Sequence, residues 1–431
     1  MKKKNNDISF LGRIILFFKT LNEKIRNLHF FDKFLKKQKA LAGYENEESP
    51  IEAKLSFGLG IARVVSISAL CLLLALVLIF GGRIVSYENV YYMFKDISYI
   101  SSFNESRPGS LSYSQPFSRQ DFASFKNGLA VVSDSEIKFF TSTGRTSLTA
   151  GSGYTNPKIC TSNDYVLIYD QGRRSYSIYN SFISVFSETL DFPISYADMS
   201  PDGSFCIVTK SGDYGSVVRI YDNQFNLEAQ YSKNDYILSA ELSENGKHIV
   251  ILSLDASEGE SKVSLTVLKR GDSKPLHTEV LNGLIPYKAT FVSNDRIALI
   301  CSDSSSVYDL RGNRKDNFVY PYELVFAKDT YEGYAFVFNE NGVSSESFVV
   351  CFNENGSLAY SRQIDDRIYD MQLYGKYVYL LLENEILRID SALGITSSAH
   401  ISSNDGKLVI FSESDVAVCT KTTAYCVTFN Q

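Results

Sequence analysis

The sequence predicts an all-β fold, a β-propeller of eight blades with seven as the alternative, carried behind a single membrane anchor. Three observations predict it. The chain has 28 Tyr and 29 Phe with no Trp and 9 Pro, a composition suited to half-buried pleated surfaces. A turn of Asn/Asp-Gly or Asn-Asp type recurs, each time followed by an apolar run, a short polar loop and a second apolar run. That unit returns at a mean spacing of about 40 residues, the length of a four-stranded blade.

In chain order, residues 1–60 form a basic tail on the cytoplasmic side. Residues 1–63 hold 13 Lys/Arg against 7 Asp/Glu, a net of +6. Leu11, Ile14, Phe18, Leu21, Ile25 and Leu28 recur every three or four residues, one apolar stripe on an amphipathic helix. Such a helix lies on an anionic membrane surface or pairs as a short coiled coil. The segment YENEESP at 44–50 ends it.

A transmembrane helix is expected at 61–82, because residues 64–82 contain no charged side chain and a span needs about 20 mostly apolar residues. The run starts too far into the chain, and is too long, for a cleaved signal peptide. Lys33, Lys36, Lys37, Lys39, Lys54 and Arg63 precede it, and only Arg83 and Lys95 follow closely. The excess of basic residues keeps the N-terminus inside and places the bulk of the chain outside. Gly58, Ala62 and Ser66 have the small-xxx-small spacing of a weak helix-dimer face. Residues 83–120 read as a stalk, with SRPGSLSYSQP at 106–116 of linker composition.

The propeller is expected at 121–431. Its copies begin at Asn127, Asn163, Asp202, Asn245, Asn294, Glu332, Gly375 and Asp405. Runs such as FCIVT, IVILS, IALIC and YVYLLL are too apolar for strands with one wet face. A weaker strand precedes each turn, as in ISYADMS and ILSAELS, which makes four short antiparallel strands per copy. The last copy is short, and its completion by the stretch 91–98 is what keeps seven blades as the alternative.

The unit closes on Asp/Asn-x-x-Gly, clearest in GKYVYLLLENEILRIDSALG from Gly375. Over about 122–429 it resembles the repeat of quinoprotein-type and WD-type propellers. The anchor-plus-propeller layout is similar to uncharacterised bacterial single-pass membrane proteins known only as a domain of unknown function. The resemblance implies a fold and no activity. Those repeats carry a docking Trp or a Trp-Asp pair, which this chain lacks, so no quinone or other cofactor is expected.

His29, His248, His277 and His400 have no metal-ligand spacing, and no metal site is expected. There is no GxSxG turn, Walker loop or dinucleotide fingerprint, so no catalytic residue is assigned and the chain is read as a non-enzyme. Residues 83–431 carry 30 Lys/Arg and 42 Asp/Glu, a net of −12, which excludes a nucleic-acid footprint. Cys71 falls in the expected span. Of the other cysteines, Cys419 and Cys426 are the pair that one hairpin would bring near, and whether they join is left open.

The function expected is a membrane-anchored, extracytoplasmic binding or scaffolding propeller for an envelope protein or peptide. The alternatives are a transmembrane signalling component and a propeller enzyme acting on a glycan or small molecule. Loops between second and third strands are enlarged at 211–215, 255–261 and 339–346. The candidate partner-binding residues are Asp213, Tyr214, Asp255, Glu258 and Glu260, acidic groups beside an aromatic that suit a basic peptide. The same loops read equally as solvated hairpin tips lengthened by drift.

Overall fold

The computed structural model describes residues 36–37, 39–40, 51–80, 109–113, 119–212, 215–255, 262–272, 274–340 and 346–429. The amphipathic stripe of the tail and the stretch 91–98 lie outside the described residues. The chain divides into two units, the second running Ser102–Gln431.

In the first unit, helix α1 spans Ile51–Phe80. It begins ten residues before the expected span, because nothing after Pro50 breaks the helix and Gly58 and Gly60 are tolerated within it. Gly58, Ala62 and Ser66 lie on one exposed face of it. The side chains of its last ten residues, where the apolar run is densest, lie outside the described residues. Among the described residues, no helix is long and apolar enough to cross a membrane.

The second unit is all β. Its strands form eight four-stranded antiparallel sheets among the described residues, so the count is eight and not seven. Blades 1 to 7 are sequential: 120–151, 157–189, 194–233, 236–281, 286–319, 323–364 and 370–400. Each runs from an innermost first strand to an outermost fourth. Blade 8 takes three strands from 407–428 and its outermost from the other end of the chain, where Ser110–Ser112 pairs with Thr423–Thr428. The ring closes there, since the innermost strands of blades 8 and 1 also meet. The closing strand thus sits within the stretch expected to be linker. It is three residues long, and its Ser-rich composition hides the alternation that buries Leu111.

The burial pattern explains what the repeat recorded. Second strands are buried on both faces throughout, as in Gly128–Ser133 and Gly333–Asn339. Fourth strands, such as Leu227–Lys233 and Arg314–Val319, face water. Each of the eight apolar clusters joins two neighbouring blades; that between blades 2 and 3 contains Leu167, Tyr176, Ile194 and Phe205. Stacked aromatic pairs fill space within two of the blades. Phe205 lies flat on Tyr221 at 4.4 Å in blade 3, and Tyr334 on Phe352 at 4.8 Å in blade 6.

The closing Asp/Asn-x-x-Gly is the turn between third and fourth strands. Asp309 accepts the backbone N–H groups of Arg311 and Asn313, both at 2.9 Å, and Gly312 supplies the positive φ. Those bonds, with Lys315 beside it, outweigh the cost of burial and hold the Asp309 carboxyl well below its usual range. Seven of the eight sequence copies are second-to-third-strand hairpins. The eighth, from Asp405, is out of phase by one strand, because Lys407–Ile410 is the innermost strand of blade 8.

Candidate functional site

Facing the channel, the first strands place charged side chains where blades meet. Lys288 of blade 5 lies 3.1 Å from Glu241 of blade 4 and 2.9 Å from Asp329 of blade 6. Thr290 donates to Asp329 at 2.7 Å, and Tyr196 of blade 3 donates to Glu241 at 3.0 Å. One lysine therefore clamps three consecutive blades, with a fourth tied in through a phenol.

The other carboxylates of the inner ring work against backbone. Asp198 accepts the Leu242 N–H at 2.9 Å, Asp121 that of Ile159 at 3.2 Å, and Asp370 that of Leu408 at 2.8 Å. Each bond runs from one blade to the next. An edge-on innermost strand leaves its N–H groups without a ladder partner, and these carboxylates supply one.

The electrostatics follow from this geometry. Burial and the neighbouring Glu241 charge push the Asp198 carboxyl up to about 7. Burial also raises Glu241, against the pull of Lys288. At Asp329 the Lys288 charge and the Thr290 hydrogen bond outweigh burial and hold the carboxyl low. At Lys288 burial is outweighed by the Asp329 and Glu241 charges, which hold the ammonium protonated. Among the described residues no group of His, Cys, Asp and Glu is placed to hold a metal ion. Cys160 and Cys206 donate to the Ala197 and Ala240 carbonyls of neighbouring blades at 3.3 Å, and burial raises both thiols. Cys419 and Cys426 share a hairpin two residues out of register, each opposite an alanine, and no disulfide joins them.

Of the residues predicted to bind a partner, Asp255 ends the second strand of blade 4, opposite Lys262. Asp213, Tyr214, Glu258 and Glu260 lie outside the described residues, as do 341–345 of the third enlarged loop. The ends of the second strands that lead into them lie at one face of the ring, the face at which the chain enters each innermost strand.

That entry face carries a feature the sequence reading missed. Tyr236 and Leu238 of blade 4, Ile285 and Tyr287 beside and within the first strand of blade 5, and Tyr322 and Val325 of blade 6 are large apolar side chains left in water. Tyr369 continues the arc into blade 7, with the Arg367 guanidinium 5.5 Å over its ring. Among the described residues, the entries to blades 1, 2, 3 and 8 show no exposed large apolar side chain. The residues come one or two to a blade, with roughly 35 to 50 positions between blades, so no local pattern marks them. The signal available was register: where an apolar residue breaks the alternation of a first strand, as Leu238 does in YILSAEL, it has to point away from the core.

No curated protein matches the chain by sequence. Among solved structures the chain is similar to BamB from Moraxella catarrhalis, with 11% identity and a TM-score of 0.50 over 75% of this chain and 99% of that one. It is also similar to the WD40 domain of SCAP from fission yeast, with 11% identity and a TM-score of 0.48 over 72% of this chain and 95% of that one. At such identities the likeness is one of fold. The model of one family covers residues 107–427, closing strand included, and the chain belongs to that family, DUF5711, a family of unknown function.

Proposed function

We propose that this chain is a membrane-anchored scaffold whose propeller binds a protein partner outside the membrane, without catalysis. One observation carries the reading. The carboxylates and the lysine of the inner ring are engaged in holding blades together, while the entry face leaves a run of large apolar side chains in water. Exposed apolar groups gathered in one place mark a contact surface, and polar groups already satisfied by one another are poorly available for chemistry. The charge-free run at 64–82, basic before and acidic after, supports the anchor and its orientation.

The anchor is tested by fractionation and protease. The full chain is expected to pellet with membranes through an alkaline wash, and deletion of 64–82 to release it. Protease added outside sealed cells is expected to digest residues beyond about 85, at the outer end of a span of this length, and to spare the tail. Recovery of the full chain in the soluble fraction, or cleavage of the tail with protection of the propeller, contradicts the reading.

A further inference from the structure

The first strands of blades 3, 4, 5 and 6 each carry one extra residue near the entry face: Ser195, Leu238, Tyr287 and Val325. In blades 1, 2, 7 and 8 the same pairing runs without a shift. A bulge leaves its residue out of the ladder and re-aims its side chain. Three of the four residues so released are large and apolar, and Tyr287 is 62% exposed. A packing defect repeated in four consecutive blades, and absent from the other half of the ring, is a one-sided construction.

Carboxylates rim this arc. Asp303, Glu323, Glu340 and Asp365 are exposed on the entry loops and hairpin tips of blades 5 to 7, with Arg367 and, at the blade 4 hairpin tip, Lys262 as basic counterparts. Such a rim repels a second copy of this acidic domain and the headgroups of an anionic membrane, and attracts a cationic segment. Resting on the scaffold reading above, we propose that the entry face of blades 4 to 7 receives a segment of a second protein that interleaves apolar side chains with Lys or Arg. The apolar groups seat against Leu238, Tyr287 and Val325, and the basic groups meet the rim.

The test uses the full chain in nanodiscs of zwitterionic lipid, with empty discs as the blank, and a labelled Leu/Lys peptide against a Leu/Glu peptide of the same pattern. The Leu/Lys peptide is expected to bind and the Leu/Glu peptide not. The triple variant Leu238→Ser, Tyr287→Ser and Val325→Ser is expected to weaken binding by roughly tenfold or more, as loss of central apolar anchors does. The control triple Leu227→Ser, Leu358→Ser and Leu393→Ser, at the third-to-fourth-strand connections on the opposite face, is expected to leave it unchanged. A charge variant, Asp303→Asn with Glu323→Gln and Asp365→Asn, keeps the apolar arc and is expected to flatten the salt dependence of binding. Equal losses in the two triples, equal binding of the two peptides, or a first triple that abolishes self-association in place of peptide binding, each overturns the proposal. The topology experiment does not depend on these residues, so the scaffold reading stands or falls separately.

Discussion

Leu111→Asp combined with Tyr113→Asp is expected to open the ring and to cost about 4 kcal/mol or more of stability, as charged groups placed in a packed core do. Leu111 and Tyr113 are buried in the cluster that joins blade 8 to blade 1, against Leu129, Val131, Val409 and Phe411. Tyr113 donates its hydroxyl to the Thr420 carbonyl at 2.8 Å and its N–H to the Thr422 carbonyl at 2.9 Å, and its ring meets Phe122 edge-on at 5.6 Å. Without them the strand Thr423–Thr428 becomes a bare edge, open to pairing between molecules. Urea unfolding of the full chain in detergent is expected to show an earlier and broader transition, with aggregation at low denaturant. The control Leu227→Asp, at the exposed start of a fourth strand, is expected to unfold like the wild type. If the closing-strand variant keeps the wild-type midpoint, this strand does not hold the ring.

Lys288→Met removes the cation that, among the described residues, pairs with both Glu241 and Asp329. Truncating one partner of a buried ion pair leaves an uncompensated charge. Here the Lys288 side chain is 38% exposed, so solvent screens part of the effect and the expected loss is about 1–3 kcal/mol at neutral pH. The pH dependence separates this from simple lost packing. Asp329, held low in the folded ring, stabilises above the ordinary carboxylate range, and that stability is lost as pH falls through its lower folded value. Asp198 and Glu241 behave oppositely. Their folded values are raised, Asp198 to about 7, so they bind protons more readily folded than unfolded. Stability from this pair therefore falls as pH rises from the ordinary carboxylate range toward 7. Without Lys288 all three carboxyls lose their counter-charge, and protonation relieves them. The deficit of the variant is expected to be largest near pH 8 and to shrink toward pH 5. An equal deficit at both values would show that the ring is not held by charge.

Much of the fold was legible because its second and third strands are buried on both faces between turns of fixed chemistry. The run IALIC in Arg296–Cys301 leaves no other place for itself than the middle of a sandwich of blades. First strands were legible only as weak alternation, and fourth strands such as Arg314–Val319, exposed along most of their length, were legible by spacing alone. Two features were hidden for physical reasons. Ser110–Ser112 is too short to show a period, and its partner lies at the far end of the chain. The copy at Asp405 carries the same turn and apolar run as the others, yet ring closure makes that run an innermost strand. At the site, loop length and acidity drew attention to Asp213, Asp255, Glu258 and Glu260. Three residues of the exposed apolar arc, Leu238, Tyr287 and Val325, sit instead at single-residue register shifts, which become visible only once strands are paired.

The central claim is that the entry face of this propeller holds a protein partner. A photo-crosslinking residue in place of Tyr287, in the full chain in intact cells, tests it most directly against the same residue at Leu393 on the opposite face. The account predicts a discrete protein adduct from position 287, with Lys or Arg and apolar residues in the captured peptide, and none from 393. Adducts to lipid or to a second copy of the chain at 287, or a protein adduct only from 393, would contradict it.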